Sequence, residues 1–188
     1  MPKDKDQVLV GVGALYVAPV GEPFPSHFAT PSGNWYHVGY TDGGVTVEYA
    51  TEEVEIEVDQ ELDPVKIMET GRSLTVAATL AQINSRLLQE AFAGGTITPI
   101  DPDGIPNSGD EYDQYTPPAI GASVARALLF DGVDETSRPV RLLVPEAKVQ
   151  GTRTIGFVKD NKANIQVTWR MLVPAAGGDP FTIRVKNL

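Results

Sequence analysis

Residues 44–59 read GVTVEYATEEVEIEVD, and their alternation decides the fold class. Val45, Val47 and Tyr49 share one side of an extended chain. Further on, Val54, Ile56 and Val58 share a side while Glu53, Glu55, Glu57 and Asp59 take the other. A period of two marks a strand, because successive side chains leave an extended backbone on opposite faces. We read two strands here, one around each run.

Outward from this stretch the same pattern recurs. Residues 72–80 alternate Leu74, Val76, Ala78 and Leu80 against Ser73, Thr75, Ala77 and Thr79. Ile165, Val167, Trp169 and Met171 alternate with Gln166, Thr168 and Arg170, and Phe181, Ile183 and Val185 with Thr182, Arg184 and Lys186. These last two strands, joined by the turn AAGGDP (175–180), are expected to pair as a hairpin. Strand composition also predicts elements at 13–18, 35–40, 124–130, 140–149 and 152–158, with KDNK (159–162) as a turn. One helix is expected after Asn84, whose side chain can accept from the free N–H groups of a first turn. Ile83 and Leu88 are placed for a hydrophobic staple, and Leu87, Leu88, Ala91 and Phe92 make an apolar stripe. Gly94 and Gly95 supply a left-handed stop. Pro23, Pro25 and Pro31 make 19–33 a loop, and the Pro-, Asp- and Gly-rich stretch 99–119 reads as a long exposed one. About eight to ten short strands and one helix give a mainly β chain, a β-sandwich or barrel with one flanking α-helix.

The 188 residues fit a single domain, 1–188, carrying the extended N-terminal arm or loop at about 19–33 and the loop at about 99–119. There are no cysteines, which excludes disulfides, thiolate metal sites and cysteine nucleophiles. No apolar run is long enough to span a membrane, and MPKDKDQVLV has no apolar signal core. The net charge of −10 is unevenly spread. Residues 1–120 carry 5 basic and 19 acidic groups, and residues 121–188 carry 10 basic and 6 acidic groups. An acidic chain is a poor nucleic-acid binder, since affinity there comes from Lys and Arg neutralising phosphates. Unlike patches on one chain instead permit head-to-tail contacts between copies, unless the two halves interleave in the fold.

Between residues 41 and 65 stand nine acids and no base: Asp42, Glu48, Glu52, Glu53, Glu55, Glu57, Asp59, Glu61 and Asp63. Alternate carboxylates on a strand sit roughly 7 Å apart and repel one another. The row reads either as a solvated outer face or as a surface that must not retain a polyanion. A glycosidase pair is disfavoured, because a flat strand offers no concave site with split pKa values. Asp101, Asp103, Asp110, Glu111 and Asp113 are rich in oxygen ligands but fall out of register with an EF-hand loop, so no metal is assigned. His27 and His37 cannot complete a zinc site. There is no nucleophile elbow, and GVGALY (11–16) lacks both the third glycine and the lysine of phosphate loops. No catalytic residue and no cofactor is expected, and the chain does not read as an enzyme. Only 7% of residues are aromatic, and Trp35 and Trp169 sit in strand patterns suited to core packing rather than a sugar platform.

Several stretches resemble the major tail, or tail tube, proteins of long-tailed, non-contractile bacteriophages. They are GVGALYVAPVGEPFP (11–25), WYHVGYTDGGVTVEY (35–49), the block VEIEVDQELDPVKIMETGRSLTVAATLAQIN (54–84) with its Gly71-Arg72 pair closing a variable loop, and IQVTWRMLVPAAGGDPFTIRVKN (165–187). The resemblance is weakest over 99–119. It implies a sandwich or barrel with one flanking helix and a virion protein, assembled in the host cytoplasm. Its partners would be copies of itself in hexameric rings stacked into a tube, a tape-measure protein and other tail proteins. Genomic DNA would pass through without specific binding, and no membrane is involved. Under it, Glu53, Glu55, Glu57 and Asp59 face either the lumen or the contact between rings. In the second case Arg141, Lys148, Arg153 and Arg170 are the expected basic counterparts. A head decoration or connector-ring subunit, or a secretion-type tube protein, is the alternative.

Overall fold

The computed structural model describes residues 13–57, 59, 63–105, 109–133, 138–156 and 164–186. The protein is mainly β, 56% strand and 4% helix, with antiparallel sheets. In chain order the elements are β1 (Gly13–Pro19), β2 (Tyr36–His37), β3 (Thr41–Ile56), β4 (Lys66–Leu80), α1 (Ser85–Ala91), β5 (Thr96–Ile100), β6 (Tyr112–Thr116), β7 (Arg126–Val133), β8 (Pro139–Gly156), β9 (Asn164–Met171) and β10 (Thr182–Val185).

The main sheet runs β2-β1-β7-β8-β9-β4-β3, with β10 also on β8. Its two end strands are consecutive in the chain. Between them, Val38 N–H donates to the Leu15 carbonyl beside β1 at 3.0 Å, and the Tyr40 carbonyl accepts from Ala81 N–H beyond β4 at 2.8 Å. Residues 38–40 therefore step from one edge of the sheet to the other and close it on itself. This is why the strand expected over 35–40 shrinks to the two residues of β2. The sheet wraps a main core that takes Leu15 and Val17 from β1, Val76 and Leu80 from β4, Leu128 from β7, Val144 from β8, and Ile165, Val167 and Trp169 from β9, and a smaller cluster holds Ala18, Trp35, Ala127, Leu129 and Leu143. Each fully buried aliphatic side chain contributes roughly 1.5–3 kcal/mol.

The helix follows the sequence closely. The Asn84 side-chain oxygen accepts from Leu87 N–H at 2.7 Å. Leu87 and Ala91 are buried, and Leu88 and Phe92 pack partly against the same core. The left-handed stop comes one residue earlier than expected, at Ala93, with φ 59°. Ala93 N–H donates to the Glu90 carbonyl and Gly94 N–H to the Gln89 carbonyl, the paired bonds of a Schellman end. Ala93 is fully buried and its methyl belongs to the core, which accounts for a residue with a Cβ at a position that favours glycine. The helix is held to the sheet by Glu90, a buried carboxylate paired with Arg86 at 3.0 Å and with Arg126 of β7.

Four local expectations are corrected. The two strands read at 45–49 and 53–59 are one strand, β3, continuous to Ile56. The strands read at 140–149 and 152–158 are likewise one, β8, kept continuous by a register shift between Gln150 and Thr154 around Gly151. The last two strands do not pair with each other. Both edges of β9 are taken, by β4 and β8, so β10 pairs the N-terminal half of β8, with Ile183 opposite Leu142. Finally, the loop expected over 99–119 is narrower: β5 pairs with β6, leaving 101–105 and 109–111 as exposed non-strand residues between them, and Ser85 of α1 donates to Asp113 of β6 at 2.6 Å. The KDNK turn lies outside the described residues.

Candidate functional site

The hairpin of β3 and β4 is far longer than the barrel needs. β9 pairs β4 only from Thr75 to Leu80, yet β4 begins at Lys66 and β3 reaches Ile56. Residues beyond Val47 on β3 and before Leu74 on β4 therefore pair only with each other and project as a two-stranded arm. Gly43 and Gly44, at φ +75° and +78°, put two extra residues into β3 within the main sheet, between the Asp42–Thr79 and Val45–Ala78 pairs. A second shift, which leaves Thr70 extra on β4, lies between the Glu52–Gly71 and Glu53–Glu69 pairs. Such bulges increase local twist and re-aim the strand.

Register assigns the faces. Val45, Val47 and Tyr49 lie opposite Ala78, Val76 and Leu74 on the core side, as the alternation predicts. The same side continues outward as Thr51 opposite Arg72, Glu53 opposite Glu69, and Glu55 opposite Ile67. The other side carries Glu48 and Glu52, then Val54 opposite Met68 and Ile56 opposite Lys66. The apolar stripe thus changes sides along the arm. Among the described residues from 52 to 70 every side chain is exposed, including Val54, Ile56, Ile67 and Met68, so this protomer provides no core for them.

The four acids expected to form one row are split by the end of the strand. Glu53 and Glu55 stand on the ladder, whereas Glu57 and Asp59 lie past Ile56, exposed, outside β3. Val58 lies outside the described residues. Glu69 completes the cluster and was missed, because Lys66 to Gly71 read as loop until β3 was seen to pair it.

The expected basic counterparts fare differently. Arg141 is corrected: it is buried, not a surface group. Its guanidinium pairs with Asp131 at 2.6 Å and donates to the carbonyls of His27 at 3.2 Å and Ala29 at 2.9 Å. These bonds pin the 19–33 loop against β7 and β8, helped by Trp35 Nε1 donating to Pro23 at 3.0 Å. Arg153 is half-buried and donates to the Val149 carbonyl at 3.3 Å. Burial pushes the Tyr115 hydroxyl above its ordinary pKa, and the nearby Arg153 charge offsets this only in part; that hydroxyl donates to the Gly94 carbonyl at 2.9 Å. Lys148 and Arg170 are exposed and lie directly opposite each other on β8 and β9.

The carboxylate oxygens of Asp101, Asp103 and Asp110 lie within 4.8 Å of one another, all exposed. Asp101 and Asp103 accept from the backbone N–H groups of Gly104 and Ile105, as turn residues do. His37 accepts from Gly39 N–H through Nδ1 at 3.0 Å and packs edge-on against Tyr16. No helix among the described residues is long and apolar enough to cross a membrane.

Residues 1–186 match the model of a family described as phage tail tube protein. The chain belongs to that family. No curated protein gives a match to it. Membership of the tail tube family makes the chain a structural protein of the phage virion, located in the tail, that associates with copies of itself and with other tail proteins.

Proposed function

We propose that the protein assembles into hexameric rings that stack into the tube of a long, non-contractile phage tail, the conduit for DNA delivery. The observation that carries this reading is the arm: two strands whose outer edges are unpaired among the described residues, with exposed apolar side chains. A two-stranded ribbon is marginal in water, and open edges are templates for pairing. When β3 of one copy lies beside β4 of the next, each arm loses both edges. The arrangement is head-to-tail, so it repeats until the rotation closes a ring.

The charge layout suits the bore. Glu48 and Glu52 lie on one side of the arm and Glu53 and Glu55 on the other, so either face presents carboxylates. DNA sliding past would release no counterions and so would not be retained. A tape-measure protein occupying the lumen first, and assembly in the host cytoplasm, complete the proposal. No step in it calls for catalysis.

Negative-stain electron microscopy of the concentrated protein tests it. Stacked rings or hollow tubes are the expected result. Closed rings or trimers that never stack would instead indicate a connector or decoration subunit, and spherical or amorphous particles at every concentration would contradict it.

A further inference from the structure

Three cross-strand pairs among the described residues oppose like charges; in one, Arg141 of β8 facing Arg184 of β10, Asp131 supplies a countercharge to Arg141, and the other two, one of each sign, are exposed. Glu53 of β3 faces Glu69 of β4, with Glu55 next on the same side. Lys148 of β8 faces Arg170 of β9. Directly opposed like charges destabilise a ladder, because their Cβ atoms sit only about 4.5–5.5 Å apart. Neither of these two is relieved by a direct bond, although Arg72 stands one pair further in on the same side as Glu53. Among the described residues, no carboxylate bonds Lys148 or Arg170, and no base bonds Glu53, Glu55 or Glu69. The nearest acids to the cationic pair are otherwise placed. Glu146, two residues before Lys148, accepts from Ala175 N–H at 3.3 Å. Glu48 is separated from Arg170 by Thr75, which pairs with both.

We infer that these two pairs meet between copies: the Glu53–Glu69 face of one arm docks on the Lys148–Arg170 pair of a second copy of this chain. Each site supplies the countercharge that the other lacks. The surroundings match as well. Arg170 borders a groove lined by Leu74, Met171, Leu172, Val173 and Pro180, and Ile67 stands on the same side of the arm as Glu55 and Glu69. An apolar side chain beside carboxylates thus meets an apolar groove beside cations. The contact is heterologous, using different patches on the two partners, so it propagates instead of ending at a dimer. It rests on the tube reading above and assigns the Glu53–Glu69 face of the arm to a contact between rings, which leaves the Glu48–Glu52 face to the bore.

Reciprocal charge reversal tests it, with sedimentation velocity and electron microscopy as readouts. Circular dichroism melts serve as the check on folding, since all four side chains are exposed. E53K/E69K and K148E/R170E should each fold but lose stacking, with association weakened about tenfold or more by the like charges brought together. Mixing the two variants should restore it, because every tip then finds an opposite base in the other variant. The wild-type assembly should weaken as salt rises to about 0.5 M, where surface charge is screened. Either double variant stacking like wild type, or a mixture that stays dispersed, overturns the contact while leaving the tube reading intact. A wild-type chain that never stacks overturns the tube reading, and this contact with it.

Discussion

At the scale of single residues, charge is used in opposite ways. Arg141 and Glu90 are buried and ion-paired, whereas Glu53, Glu69, Lys148 and Arg170 are exposed and, among the described residues, bonded to no opposite charge. Truncating a buried pair leaves its partner stranded, so Arg141→Met should cost about 3–5 kcal/mol and lower the melting temperature by several degrees, with the 19–33 loop becoming protease-sensitive first. An unchanged melt would show that Arg141 does not hold the loop. Tyr115 gives a pH signature. Burial raises its pKa above 10.0, so the unfolded chain ionises first as pH rises. Its contribution is fully present below the unfolded value and is lost as pH rises from there through the higher folded one. The slope of stability against pH above about 10 should therefore be flatter in Tyr115→Phe. These roles were only partly legible in the sequence. Arg141 read as one more base in a basic half, because its partner Asp131 and its two carbonyl acceptors are brought together only by the pairing of β7 with β8 and by the path of the loop.

At the scale of elements, local signals were read correctly and long-range ones were not. The Asn84 cap and the apolar stripe of α1 are written within a few residues of one another, and Asn84→Ala should cost about 1 kcal/mol in a thermal melt. The alternation of β4 and β9 also placed their buried faces correctly, with Trp169 in the core. What the sequence left open was which strands pair. β10 follows β9 in the chain, yet joins β8, because β4 already occupies the remaining edge of β9. Residues 66–71 read as loop because it is their pairing with β3, and not a local alternation, that makes them strand. The arm offers the sharpest element-scale prediction. Replacing residues 52–71 by a two-residue Asn-Gly turn removes no buried side chain among those described. The shortened chain should melt within a few degrees of wild type and yet form no rings, as size-exclusion chromatography would show. Loss of folding would mean that the arm supports the barrel, and intact rings would mean that another surface makes them.

At the scale of the whole molecule, the closed barrel and the projecting arm divide the work. The barrel satisfies itself: its sheet closes through residues 38–40 and wraps the main core, and α1 packs against that core. Among the described residues the arm is left with two unpaired edges, exposed apolar side chains and unbalanced acid, all of which copies of the same chain can satisfy. The division explains how a protein of the tail tube family can be stable as a subunit and still carry a strong bias toward assembly. The most direct measurement is a cryo-electron microscopy reconstruction of the assembled tube at a resolution that traces strands. The account predicts the β3–β4 arms side by side around the bore, with β3 of each subunit hydrogen-bonded to β4 of its neighbour in one continuous barrel. Arms that stand apart from one another, or that point outward from a bore lined by other elements, would contradict it.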